Sequence, residues 1–243
     1  MRSILKITNK KTTIMKKLIL SAAIIIAAFG ANAQNKFGLQ AGANFASVKS
    51  EYGSVKDKSD SKVGFIIGAL ADVDFSNSVS FRPELNFIQK GGKTSSTRTN
   101  AGFTTTEKSD LKLSYIQLSP NFAYNFAAGT GKFFIGVGPE FAFGIGGKSK
   151  DESSVTGPGI NTTKTETTNV KFDGKKNASG NDFHLKGFDL GANAIAGYKL
   201  SNGAFISAGY TVGLQNISPE DNSSFKNNGF NVKVGFMFPS AKK

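Results

Sequence analysis

The sequence has no cysteine and no tryptophan, a single histidine, and only six prolines in 243 residues. No cysteine means no disulfide, no thiolate metal site and no lipid-carrying cysteine behind an export signal. A lone histidine, His184, leaves little for a zinc centre or a histidine-based catalytic set. Beyond residue 33 there is no apolar run of roughly 20 residues, so no spanning helix is written there. No amphipathic helical period appears there either.

What is present starts with MKKLILSAAIIIAAFGANAQ, residues 15–34. Lys16 and Lys17 precede an apolar stretch from Leu18 to Phe29, and Ala31-Asn32-Ala33 is a small-residue cleavage site. This is the pattern of a secretory signal peptide. The expected division is residues 1–33 as signal, with Met15 the start and cleavage after Ala33, and residues 34–243 as one domain. Removing the six basic residues of the signal lowers the formal charge from +13 to +7. A mildly basic exported chain suits contact with anionic headgroups better than nucleic acid.

The dominant period is two, the period of a strand. In Lys62–Phe75, Val63, Phe65, Ile67, Ala69, Ala71, Val73 and Phe75 share one face. In Val79–Gly91, Val79, Phe81, Pro83, Leu85 and Phe87 oppose Ser80, Arg82, Glu84, Asn86 and Lys90. The same alternation recurs over 37–49, 116–126, 132–146, 188–200, 204–216 and 230–238, which makes eight strands. Each has one bulky apolar face without charge. Short turns (76–78, 127–131, 201–203) alternate with long polar connections (50–61, 92–109, 147–182, 217–228). The expected fold is all-β, an eight-stranded antiparallel up-and-down transmembrane β-barrel, with short periplasmic turns and long external loops. Phe37, Phe75, Phe81, Phe126, Phe133, Tyr198, Phe205 and Phe238 sit beside the short turns or chain ends, the places of an aromatic girdle. A soluble lipocalin-type barrel has the same strand number with its bulky face inward. Eight strands enclose too little room for five to seven bulky groups each, so the apolar face is expected to point to lipid.

Segments FGLQAGANFA (37–46), RPELNFIQKGG (82–92), YIQLSPNFAY (115–124), GVGPEFAF (136–143), FDLGANAIAGYKL (188–200), GYTVGLQNI (209–217) and NGFNVKVGFMF (228–238) resemble the outer-membrane β-barrel domain family common in Bacteroidota, which includes PorT-type proteins. The family often has an acid two residues after the tyrosine of the fourth strand; here Gln117 stands there. The resemblance implies an integral outer-membrane protein, with no catalytic activity, and residence among outer-membrane lipid and lipopolysaccharide. Phe236 and Phe238 also resemble the terminal aromatic signal read by the barrel-assembly machinery, although PSAKK follows them.

AFGIGGKS (142–149) fits a relaxed Walker A pattern. A phosphate loop needs a helix after it. KDESSVTGPGINTTKT follows, with no helical period, so no nucleotide is expected and Gly144, Gly146 and Gly147 are assigned to the end of a strand. The inward charges Asp72, Asp74, Arg82, Glu84, Lys90, Glu140, Asp189, Lys199 and Lys233 are expected to be a paired structural network, because buried charges need partners. Arg82 is expected to pair with Glu84 or Glu140. The other reading of these charges is a narrow channel. His184 stands without a marked serine, so lipid-modifying catalysis is not expected. Glu220-Asp221-Asn222 lacks the spacing of a calcium loop. No cofactor or metal is implied. The expected role is a monomeric structural or binding platform, with a PorT-type secretion accessory as an alternative.

Overall fold

The computed structural model describes residues 36–176 and 182–239. The expected signal segment lies outside the described residues, as does the tail from residue 240. Eleven strands form one sheet: β1 (Lys36–Tyr52), β2 (Val55–Lys58), β3 (Lys62–Asp74), β4 (Val79–Asn100), β5 (Phe103–Ala128), β6 (Gly131–Gly157), β7 (Ile160–Lys171), β8 (Phe183–His184), β9 (Phe188–Leu200), β10 (Ala204–Gly213) and β11 (Ser223–Met237). Among the described residues there is no helix.

Eight strands close into a ring. The order runs β5-β4-β3-β1-β11-β10-β9-β6, and β5 pairs with β6 to close it. All pairings within the ring are antiparallel. Closure pairs every ring strand on both sides, which a lipid-facing backbone requires. β2, β7 and β8 are additions beyond an eight-stranded ring: β2 pairs with β1, β7 with β6, and β8 runs parallel to β7.

The apolar face points outward. Ile67, Phe122, Ile135, Val137, Ile206 and Val234 are each more than half exposed, whereas Gln40, Arg82, Glu84, Asn121, Glu140 and Lys233 are buried. That orientation overturns the lipocalin-type reading. On β4 the alternation turns Arg82, Glu84, Asn86, Ile88 and Lys90 inward in succession. Small residues let the strands close: a Cβ on Gly42 would meet the Val232 carbonyl oxygen at 1.9 Å, and one on Gly68 the Leu85 carbonyl oxygen at 2.2 Å.

Most of the long connections are strand rather than loop. Residues 92–109 continue β4 and β5 as a hairpin, and residues 147–171 are the end of β6, a two-residue turn and the whole of β7. Two causes are visible. Threonine is β-branched and fits a pleated surface, and Thr97–Thr106 and Thr99–Thr104 pair across the hairpin through hydroxyls 3.2 and 3.1 Å apart. Ala101 (φ 47°) and Gly102 (φ 81°) then supply the two left-handed residues that a tight hairpin turn needs. Gly147 to Gly157 alone adds roughly 30 Å of strand beyond the apolar belt.

The AFGIGGKS stretch lies inside β6 and does not end it. Ser114 pairs with Gly146 and Tyr115 with Gly144, so Ile145 is the extra residue of a β-bulge. Below the bulge β6 pairs with β9 as far as Phe143; above it, from Gly147, the same edge pairs with β7. Bulges bend a strand and re-aim it. The phosphate-loop lookalike is the joint at which the barrel wall becomes a projecting sheet.

Candidate functional site

Inside the ring, four cations meet four carboxylates in three layers. Nearest the short turns, Asp72 accepts from Lys199 and stands 3.7 Å from Arg82. The Arg82 guanidinium is sandwiched by Phe134 (4.2 Å to the ring centroid) and Phe205 (4.9 Å). In the next layer Lys233 donates to Glu84, and Gln40 Nε2 donates to both Glu84 (2.9 Å) and Asn86 Oδ1 (2.8 Å). In the third, Lys90 Nζ donates to Glu140 (2.7 Å) and Asp189 (3.1 Å) and lies 5.1 Å above the Tyr115 ring. Thr211 completes Glu140 at 2.7 Å and Asn227 completes Asp189 at 2.9 Å.

Alternation along the strands predicts which charges face inward but says nothing of their partners. Arg82 was expected beside Glu84 or Glu140; those carboxylates are taken by Lys233 and Lys90, and Arg82 stands nearest Asp72. Asp74 lies at the rim, 3.6 Å from Lys36. Phe205 does not belong to the outer girdle. It is buried against Arg82, because strand β10 turns Phe205 in and Ile206 out. Phe75, Phe126, Phe133 and Phe238 are exposed on the outer surface, and Phe37, Phe81 and Tyr198 are half-buried there. Phe126, Phe133 and Tyr198 form a run, with centroids 5.8 and 4.7 Å apart.

Above the charged layers sits an apolar plug. Val48, Ile66, Ile88, Leu113, Leu185 and Ile217 are buried together, with Phe172 and Phe225 packed on them. Phe172 and Ile217 come from segments that read as polar connection, and Leu185 from the short piece between the connection 147–182 and the strand 188–200. Single apolar residues in such runs were the only signal, and period-two reading does not use isolated residues. Phe172 seats over Gly144, where a Cβ would come within 2.4 Å of its ring, and over Tyr115, centroid 5.2 Å.

Beyond the plug the strand ends enclose a cup of about 520 Å³. Its largest wall is the inner face of the projecting sheet. Two rows of register neighbours line it: Thr94, Ser109, Asp151 and Glu166, then Gly92, Leu111, Ser149 and Thr168. Val48, Ser50 and Phe225 form the opposite side, and Asp182 and Phe183 close the edge. Asp182 is paired with Lys171.

At the same end His184 Nδ1 donates to Asp173 at 2.7 Å. Burial pushes the Asp173 carboxyl upward, but the His184 bond and the Lys175 N–H outweigh it and hold the group below its ordinary value of 3.8. This acid partner of His184 escaped sequence reading because the two residues are joined by a parallel β7–β8 contact. Asp221 accepts from Lys176, and that bond holds its carboxyl low. Among the described residues no group of three potential ligands is placed to hold a metal.

A closed antiparallel ring with an apolar exterior and a charged interior defines a transmembrane β-barrel. Residues 32–218 match the outer membrane protein beta-barrel domain family, and the chain belongs to that family. Its place is the outer membrane. No curated protein matches the chain. Among solved structures it is similar to Ail, the attachment invasion locus protein of Yersinia pestis, at 11% identity and a TM-score of 0.39, over 84% of this chain and 99% of that one. It is similar to Neisserial surface protein A at 17% identity and 0.39, over 83% and 97%. The outer membrane protease OmpT of Escherichia coli aligns at 9% identity and 0.28, over 84% and 97%. Likeness this distant carries nothing about activity.

Proposed function

We propose that this protein is a non-conducting surface receptor: a monomeric, sealed barrel that anchors a binding platform outside the cell. One observation carries this reading. The four interior cations are matched by four carboxylates beneath an apolar plug, while an open, walled space lies at the long-strand end. A selective pore needs unpaired charge along an open path; here each of the four inward cations stands within 3.7 Å of a carboxylate. The short turns then face the periplasm and the projecting hairpins face outward. The outward Phe and Tyr residues near the turns mark the periplasmic interface of the outer membrane, and the opposite end of the apolar belt meets the lipopolysaccharide of the outer leaflet. The barrel-assembly machinery inserts the chain. Segments such as RPELNFIQKGG and YIQLSPNFAY support placing it in the Bacteroidota, PorT-like branch of the family.

Planar bilayer recording tests the sealed state. Purified barrel should give no unitary steps in symmetric salt. Regular, reproducible steps of one size would refute the reading and make the interior charges a conduction path.

A further inference from the structure

The cup has a chemical bias of its own. Asp151 on β6 and Glu166 on β7 are direct register partners, so their side chains emerge on the same face, side by side. Like charges opposite each other across a sheet destabilise it. Their existing contacts are slight: Ser149 Oγ donates to Asp151 at 3.2 Å, and Lys164 stands 3.9 Å from Glu166 at the exposed edge. Among the described residues, no lysine or arginine lines the cup. Apolar surface is also present: Phe225 on the opposite side and Phe183 at the edge are in edge contact, centroids 6.3 Å apart, and Leu111 lies in the next row of the same sheet wall as the carboxylates.

We propose that the cup binds a small organic cation carrying an apolar group. The ammonium sits between Asp151 and Glu166, and the apolar part lies on Leu111, Phe183 and Phe225. Three features support that class. The volume falls in the range of small-molecule sites. The carboxylate pair is a cost to the free protein that a cation removes. The rings of Phe183 and Phe225 in the same cup give the apolar group a surface to lie on. Asp182 takes no part, since Lys171 already holds it.

This inference rests on the receptor reading, and the experiment separates the two. Full-length barrel in zwitterionic nanodiscs is dialysed to equilibrium against 2-phenylethylammonium, 2-phenylethanol or phenylacetate. The ammonium should be retained at least about tenfold more than the alcohol, and its retention should fall as salt rises. The Asp151→Asn/Glu166→Gln double variant should retain it no better than the alcohol. The same variant, without ligand, should slow amide exchange in the β6–β7 hairpin, because the repulsion is gone. Equal retention of the three probes, or unchanged retention by the double variant, overturns the proposal. Slower exchange without any loss of ammonium retention overturns it too, since the pair is then only a local strain. None of these outcomes bears on conductance, so the sealed-barrel reading stands or falls on the bilayer recording alone.

Discussion

Replacing Lys90 with methionine is the sharpest test of what holds the barrel interior. Lys90 is buried, with Nζ 2.7 Å from Glu140 and 3.1 Å from Asp189. Methionine keeps most of the volume and removes the charge. Two buried carboxylates then face each other, and each retains only its remaining donor, Thr211 for Glu140 and Asn227 for Asp189. Deleting one partner of a buried ion pair costs about 3–5 kcal/mol. Lys36, whose partner Asp74 is at the solvated rim, is the internal control: Lys36→Met should cost about 0–1 kcal/mol. With a urea slope of about 2 kcal/mol per molar, Lys90→Met should lower the unfolding midpoint by roughly 2 M. The assay is reversible urea titration in lipid vesicles, read by the shift between folded and unfolded bands on an unboiled gel. Lys90→Met/Glu140→Gln/Asp189→Asn should recover most of the loss, because neutral amides accept from Thr211 and Asn227 without a counter-charge. If Lys90→Met costs no more than Lys36→Met, the charged layers do not stabilise the barrel and the reasoning fails.

Three further outcomes follow from the same structure. Val137 lies on the outer face midway along the apolar stretch of β6, so Val137→Lys should cost about 2–4 kcal/mol in a vesicle unfolding titration. Gly42→Ala should hinder closure, since its Cβ would press on the Val232 carbonyl at 1.9 Å; an assembly gel should show less heat-modifiable band than wild type. The Asp173–His184 contact has a defined pH window. Because the Asp173 pKa is held below 3.8, its contribution is complete above 3.8 and disappears as pH falls through the lowered value. Amide exchange of residues 183–185 should therefore rise at that acid limit in wild type but not in Asp173→Asn.

Much of the site was readable from strand alternation. In RPELNFIQK every second residue from Arg82 to Lys90 faces inward, and a period of two admits no other assignment once the apolar set is given to lipid. The interior charges Asp72, Glu84, Glu140, Asp189, Lys199 and Lys233 could be placed on the inward face in the same way. Their partners could not, because pairing depends on tilt and on neighbours across the ring. Lys90 reaches Glu140 and Asp189, 50 and 99 residues away in the chain. Phe205 shows the limit from the other side: its place beside a turn marked it for the girdle, while its parity on β10 turned it in toward Arg82.

The long polar stretches were legible as polar and misread as loop. Thr, Ser and Lys carry no apolar period when both faces meet water, so a solvated strand is silent to a pattern that needs one buried face. Only pairing to a neighbour reveals it, as β7 does against β6. By itself the sequence determined the strand period and which residues share a face, because both depend on residue-to-residue alternation along one strand, and the small lumen of eight strands then sent the bulky face outward and the charges inward. Tertiary structure alone decided the ion-pair partners, the bulge at Ile145, the apolar plug and the acidic cup. Each of these is made by residues from different strands, and their meeting is set by the register and closure of the ring.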